Sequence, residues 1–243
     1  PASSGLPDEE IMSNEHAQST LARRSFFRRL GGGVAALGAT LGVPVALAAQ
    51  GPPAAAARHP QDDWFEAPGA RHRLYLDTTT VDGVAHAIFW SNNFFNASRS
   101  AYELADSDSA VIIGVRHEST PFAFTDPMWA KYGAALAGHA AKFTVPGAGG
   151  VPATNLLMAA DNRAMANRGV TIDAVAKRGV RLAVCSLATR AIATEAARLS
   201  GGAVDDIVKD LTGHLVPNAH MVPAGIVALS RAQERGFTFT YIA

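Results

Sequence analysis

The sequence predicts one three-layer αβα domain, an α/β fold on a mainly parallel sheet of about five strands. Three observations carry that expectation. Short runs rich in large apolar residues recur from residue 71 to 243. The stretches between them are long enough for helices and too long for hairpin turns, which argues for parallel connections. Two of the runs, SAVIIGVRH (109–117) and VRLAVCS (180–186), carry unbroken apolar stretches, VIIGV and LAVC, and read as strands buried on both faces.

Composition bounds the rest. The 243 residues suffice for one substantial domain and a tail, and 48% hydrophobic with 17% charged residues describes an ordinary globular core. Lys plus Arg and Asp plus Glu both number 21, so no basic excess points to nucleic acid and no acidic excess to a charge-driven partner. The single cysteine, Cys185, rules out an intramolecular disulfide framework and any multi-thiolate zinc or iron–sulfur site.

Residues 1–48 read as an address. ARRSFFRRL (22–30) is basic and runs into GGGVAALGATLGVPVALAAQ, a Gly- and Ala-rich stretch broken by Pro44. A membrane span needs about 20 strongly apolar residues, so this stretch makes a poor anchor. Arg23 and Arg24, followed by Phe26 and Phe27, resemble the twin-arginine (Tat) export signal, departing from it in Ala22 and Phe27. A Sec-type signal or an uncleaved amphipathic anchor is the alternative. Cleavage is expected after Ala48, and Met12 would open an ordinary signal, making 1–11 an upstream extension. Four basic and four acidic residues precede Ala49, so the remainder is neutral as well. Residues 49–70, with GPPAAAARHPQDD at their centre, are expected to be a disordered Pro/Ala-rich linker.

The domain is expected over 71–243. RHRLYLDT (71–78) alternates and opens it as a strand. Val84, Ile88, Phe95 and Tyr102 then recur at roughly helical spacing. After the 109–117 strand, 127–143 predicts a helix with Pro127 in its first turn, where a missing N–H matters little. TVPGAGGVPATN (144–155) is a loop, 156–167 a short helix, and 171–177 a helix capped by Thr171. Beyond the 180–186 strand come a helix over 187–199 ended by Gly201 and Gly202, a helix over 222–236 closed by Gly236, and the alternating strand FTFTYIA.

With these elements placed, four segments stand out: the helix bearing Asn92, Asn93 and Asn96; the strand VIIGVRH; RGVRLAVCSLATRAI, ending its strand in valine-cysteine; and HMVPAGIVALSRAQERGFTFTYI. Together they resemble the DsrE/DsrF-like family of small α/β sulfur-relay proteins, over about residues 71–243; the last two are specific only in combination. The resemblance implies a homo-oligomer or hetero-oligomer and sulfur accepted and passed on as a cysteine persulfide. Departures are visible too. The 126–169 stretch is longer than the compact family core, and Glu118 follows VRH where glycine is usual. Relay members work in the cytoplasm, whereas the Tat-like signal predicts a periplasmic or otherwise exported protein.

Cys185 leads the site candidates on its own residues as well. It closes a predicted strand just before a helix, where α/β sheets place their chemistry. A helix N-terminus offers unpaired N–H groups and about half a positive charge, which favours a thiolate or a persulfide anion. Arg190, about one turn further on, would add charge, and His117 would share the sheet edge as acid/base or anion donor. Asn93 completes the expected supporting pocket. The competing reading is a structural thiol, since free cysteine is among the most buried residue types. An exported thiolate also risks oxidation with no resolving partner in the chain.

The remaining motifs point to less. His214, His220 and Met221 lie close in sequence without HxxxH or CxxCH spacing, so no metal or cofactor is expected; His139 falls on a helix. Asp205 and Asp206 read as a solvated turn, and Gly147 to Gly150 lack the lysine and the strand-to-helix context of a phosphate loop. Phe89, Trp90, Phe94 and Phe95 read as core or oligomer interface. The functional expectation is an exported, sulfurtransferase-like sulfur carrier acting with a donor or acceptor protein or a small sulfur compound. The alternative is a non-catalytic ligand-binding or assembly module of the same fold.

Overall fold

The computed structural model describes residues 59–243; Arg23, Arg24 and Phe26, expected to belong to an export signal, lie outside them. The described chain builds a five-stranded sheet, parallel throughout, in the order β4-β3-β2-β1-β5. Its strands are β1 His72–Thr78, β2 Ser109–Val115, β3 Arg181–Cys185, β4 Ala219–Val222 and β5 Thr238–Ile242. The helices are α1 Val81–Tyr102, α2 Asp126–His139, α3 Ile172–Lys177, α4 Ser186–Ser200, α5 Val204–Gly213 and α6 Gly225–Gln233. Helix starts follow their capping residues: Thr80 Oγ1 accepts from Gly83 N at 2.9 Å, and Thr171 Oγ1 from Ala174 N at 3.1 Å. None of the described helices is long and apolar enough to cross a membrane.

Alternation along each strand sorts its residues between two faces. Leu76, Val111, Ile113, Val115, Leu182 and Val184 face α1, α2 and α4, where Ile88, Trp129, Leu136 and Ile192 complete the larger core. Tyr75, Ile112, Ala183 and Val222 face the other way, under α6 and Phe65 and Phe237. That second face has a thinner cover, and it carries the polar residues of interest.

Part of the thin cover comes from residues expected to be linker. Pro60–Phe65 form a 3-10 helix, with Phe65 buried against the sheet. Asp62 beside it is ion-paired to Arg231 at 2.7 Å and Arg235 at 3.2 Å. Arg181 donates to the carbonyls of Trp64 and Glu66. Residues 60–65, expected to be disordered linker, are therefore ordered: an aromatic pair with an apolar slot and an acid with two arginines hold them to the domain.

Three further expectations change. Instead of a helix over 156–167, only Leu156–Met158 make a 3-10 turn. Asn155 explains it: its amide donates to the carbonyls of Phe122 and Phe124, both at 2.9 Å, and its oxygen accepts from Leu157 N. Asp205 and Asp206 open α5 rather than a turn, where their charge suits the helix dipole. The helix expected from residue 222 begins at Gly225, and Val222 instead ends β4.

Candidate functional site

The connections after β1, β2 and β3 lead to helices on the well-covered face, whereas the chain leaving β4 passes to α6 on the other. Adjacent exits that diverge open a crevice at the carboxyl ends of β3 and β4, the usual location of ligand sites in such sheets. The last residue of β3 is Cys185, paired in register with Val222 at the end of β4. Cys185 is extended (φ −70°, ψ 113°), is the N-cap residue of α4, and makes no side-chain cap bond. Its thiol is free, and the residue is buried, 7% exposed. Thr189 Oγ1 donates to its carbonyl at 3.0 Å, which fixes the first turn of α4. The neighbouring Ser186 lines a pocket of about 310 Å³ with Trp64, Val222, Pro223, Val227 and Arg231.

On the same face as Cys185 lie Tyr75 and Asp77 of β1 and Gly114 of β2. One register step beyond β2 and β3 sets Arg116 beside Cys185. Arg116 turns back over β1 and grips Asp77 with both arms: Nε donates to Oδ1 at 2.9 Å and Nη2 to Oδ2 at 2.8 Å. Asp77 is 2% exposed, and its hydrogen bonds hold the guanidinium pKa above its ordinary value. Gly225, the first residue of α6, makes room for this arginine: a Cβ there would stand 2.8 Å from Arg116 Cβ and Cδ.

Tyr75 is fully buried, and its hydroxyl has no hydrogen-bond partner among the described residues. Burial first, then the charge of Asp77, push that hydroxyl's pKa well above the usual tyrosine value, and Cys185 acts in the same direction. Its ring fits only because residue 114 is glycine: a Cβ there would lie 2.4 Å from Tyr75 Oη.

The expected supporting residues separate. His117 stands at the same sheet edge, exposed and with φ +54°, but lines a different, open cleft with Thr79, Thr80, Arg116, Glu118, His139 and Tyr241. Arg190 is committed to Asp205 of α5 at 2.9 Å on the exposed surface, so it adds no charge at the thiol. Asn93 is exposed midway along α1, about 18 Å from its N-terminus and hence from the carboxyl edge. Its neighbours Asn92 and Asn96 hold Arg178, each at 2.8 Å, and Arg178 is ion-paired to Asp106 at 2.8 Å. That asparagine helix is structural at this point: it ties α1 to the end of α3.

The histidines scatter likewise. His220 stacks on Trp64 with centroids 4.9 Å apart, and burial, then Arg181, hold its pKa below the usual range. Met221 points to the opposite face, and His214 Nδ1 meets the Asp210 carbonyl at 2.8 Å. Sequence reading missed Tyr75, Asp77 and Arg116. The signals were an acid at an inward position of β1 and a glycine inside the apolar run VIIGV. Comparison with protein families, curated proteins and solved structures finds no match to this chain.

Proposed function

We propose that this protein is an exported sulfur carrier that loads Cys185 as a persulfide, in keeping with the resemblance of its valine-cysteine strand and closing helix to DsrE/DsrF-like proteins. The observation that carries the reading is the position of Cys185: last residue of β3, N-cap of α4, at the crevice between diverging exits. In loading, the Cys185 thiolate attacks the outer sulfur of a persulfide R–S–SH. The new Sγ–S bond forms as the old S–S bond breaks, and R–S⁻ leaves, with no net oxidation. From thiosulfate the leaving group is sulfite. The unpaired N–H groups of the first α4 turn face the anionic sulfur chain at its base.

Leu187, Ile226 and Val227 stand exposed at the starts of α4 and α6, flanking that crevice, which suits a protein donor or acceptor, or a second copy of the chain. The test is mass spectrometry of the protein after incubation with thiosulfate or glutathione persulfide. One added sulfur on the Cys185 peptide, removed by reductant and absent in Cys185→Ser, is expected; an unmodified Cys185 with every donor overturns the reading. The low exposure of Cys185 favours a second reading, a non-catalytic binding module, in which Cys185→Ala leaves all ligand or partner binding intact.

A further inference from the structure

The geometry points to a second site, separate from the thiol: the open cleft beyond the carboxyl ends of β1, β2 and β5 binds a small inorganic oxyanion. The cleft measures about 540 Å³. Of the groups around it, the argument uses Thr79, Arg116, Glu118, His139 and Tyr241; Cys185 is not among the lining residues.

Donors in this cleft are in excess. Asp77 holds Arg116 through Nε and Nη2, and Nη1 makes no hydrogen bond among the described residues. Because Asp77 is buried behind the guanidinium, it orients the free edge without itself lining the cleft. An arginine fixed in this way keeps little orientational freedom to lose when it meets an oxyanion's paired oxygens. Tyr241 Oη and Thr79 Oγ1 lie 2.7 Å apart. Only one of the two donates in that bond, so the other hydroxyl proton remains available. His139 Nε2 is buried and has no hydrogen-bond partner among the described residues. The N-terminal end of the 22-residue α1 opens beside these groups, after its cap Thr80.

Alternative ligands fit worse. A metal cation would meet the fixed guanidinium, with Glu118 as the only carboxylate in the lining. An apolar ligand would cover the free donors and leave them unpaired. An oxyanion accepts from Arg116, from the free hydroxyl and from a protonated His139 at once. Burial holds the His139 pKa below the usual histidine value, opposed by the His117 backbone and the Glu118 charge, while His117 itself adds to the lowering. Binding an anion there therefore takes up a proton, and affinity rises as pH falls.

Isothermal titration of the full chain with sodium sulfate, phosphate and thiosulfate, at constant ionic strength set by chloride, tests the site. Saturable binding of at least one oxyanion is expected, tighter at pH 5.5 than at pH 7.5. His139→Gln weakens it about tenfold and removes the pH dependence, and Tyr241→Phe weakens it less. The double variant Asp77→Asn, Arg116→Gln, which keeps the buried pair neutral, abolishes it. No saturable binding, or binding that His139→Gln and the double variant leave unchanged, overturns the site. Cys185→Ser is expected to bind sulfate and phosphate, which carry no transferable sulfur, like the parent chain, so that outcome is independent of whether the thiol loads sulfur.

Discussion

The two faces of the sheet use the same strands for different ends. Leu76, Ile113, Val115 and Leu182 form a wholly apolar layer under three helices. One residue along each strand, the other face carries Tyr75 with an unpartnered hydroxyl, the buried pair Asp77–Arg116, and Cys185, under one short helix and a 3-10 turn. Most of the apolar burial lies on the first face, where Trp129 Nε1 is buried without a hydrogen-bond partner among the described residues; the second face holds the unpartnered Tyr75 hydroxyl, the buried ion pair and the thiol. A pleat of period two makes this separation possible, because neighbouring residues never share a face.

The largest break in that contrast comes from splitting the buried pair. Arg116→Met alone leaves Asp77 charged without a partner and is expected to cost about 3–5 kcal/mol in urea unfolding. Adding Asp77→Leu should recover most of the loss, since the pair as a unit contributes little net. On the apolar face Ile113→Ala costs about 2–5 kcal/mol through its cavity, and no second substitution of a polar partner rescues it.

Gly114→Ala probes the fitted ring. Its methyl overlaps Tyr75, for an expected loss of about 1–3 kcal/mol that Tyr75→Leu relieves. Tyr75→Phe goes the other way: removing a hydroxyl without a partner is expected to raise stability by about 1 kcal/mol, seen as a higher Tm.

The smallest expected effect is a pH slope. His139 and His220 have folded pKa values held below the unfolded value of about 6.5. In that window the unfolded chain binds more protons, so stability is full above about pH 6.5 and falls as pH drops towards the folded values. Unfolding midpoints measured between pH 7.5 and pH 5 should show this decline, and His139→Gln with His220→Gln should flatten it.

Much of the fold was legible in the residues. VIIGV and LAVC are apolar without interruption and became the central strands, and Thr171 and Gly201 marked helix ends by local chemistry that needs no tertiary context. AHMV was not legible as β4, because four mixed residues carry no periodicity and become a strand only by pairing with β3. Nor was the packing of Trp64 and Phe65, which depends on a slot completed by Arg181, Leu229 and Phe237, all more than a hundred positions away. The placement of Cys185 and His117 at one sheet edge was legible because strand ends recur there, although His117 lines a different cleft. Arg190 and Asn93 failed for a shared reason: sequence spacing gives the helix turn but not the competing partner, Asp205 in one case and the α3 end in the other.

The proposed role makes Cys185 a working thiol on the thin face and not merely a core residue. The most direct measurement is the rate at which native protein reacts with a thiol reagent, compared with its global unfolding rate under the same conditions. A rate well above unfolding, slowed in protein pre-loaded with a persulfide donor, is the predicted result. Labelling of Cys185 only as fast as the whole domain unfolds would contradict it.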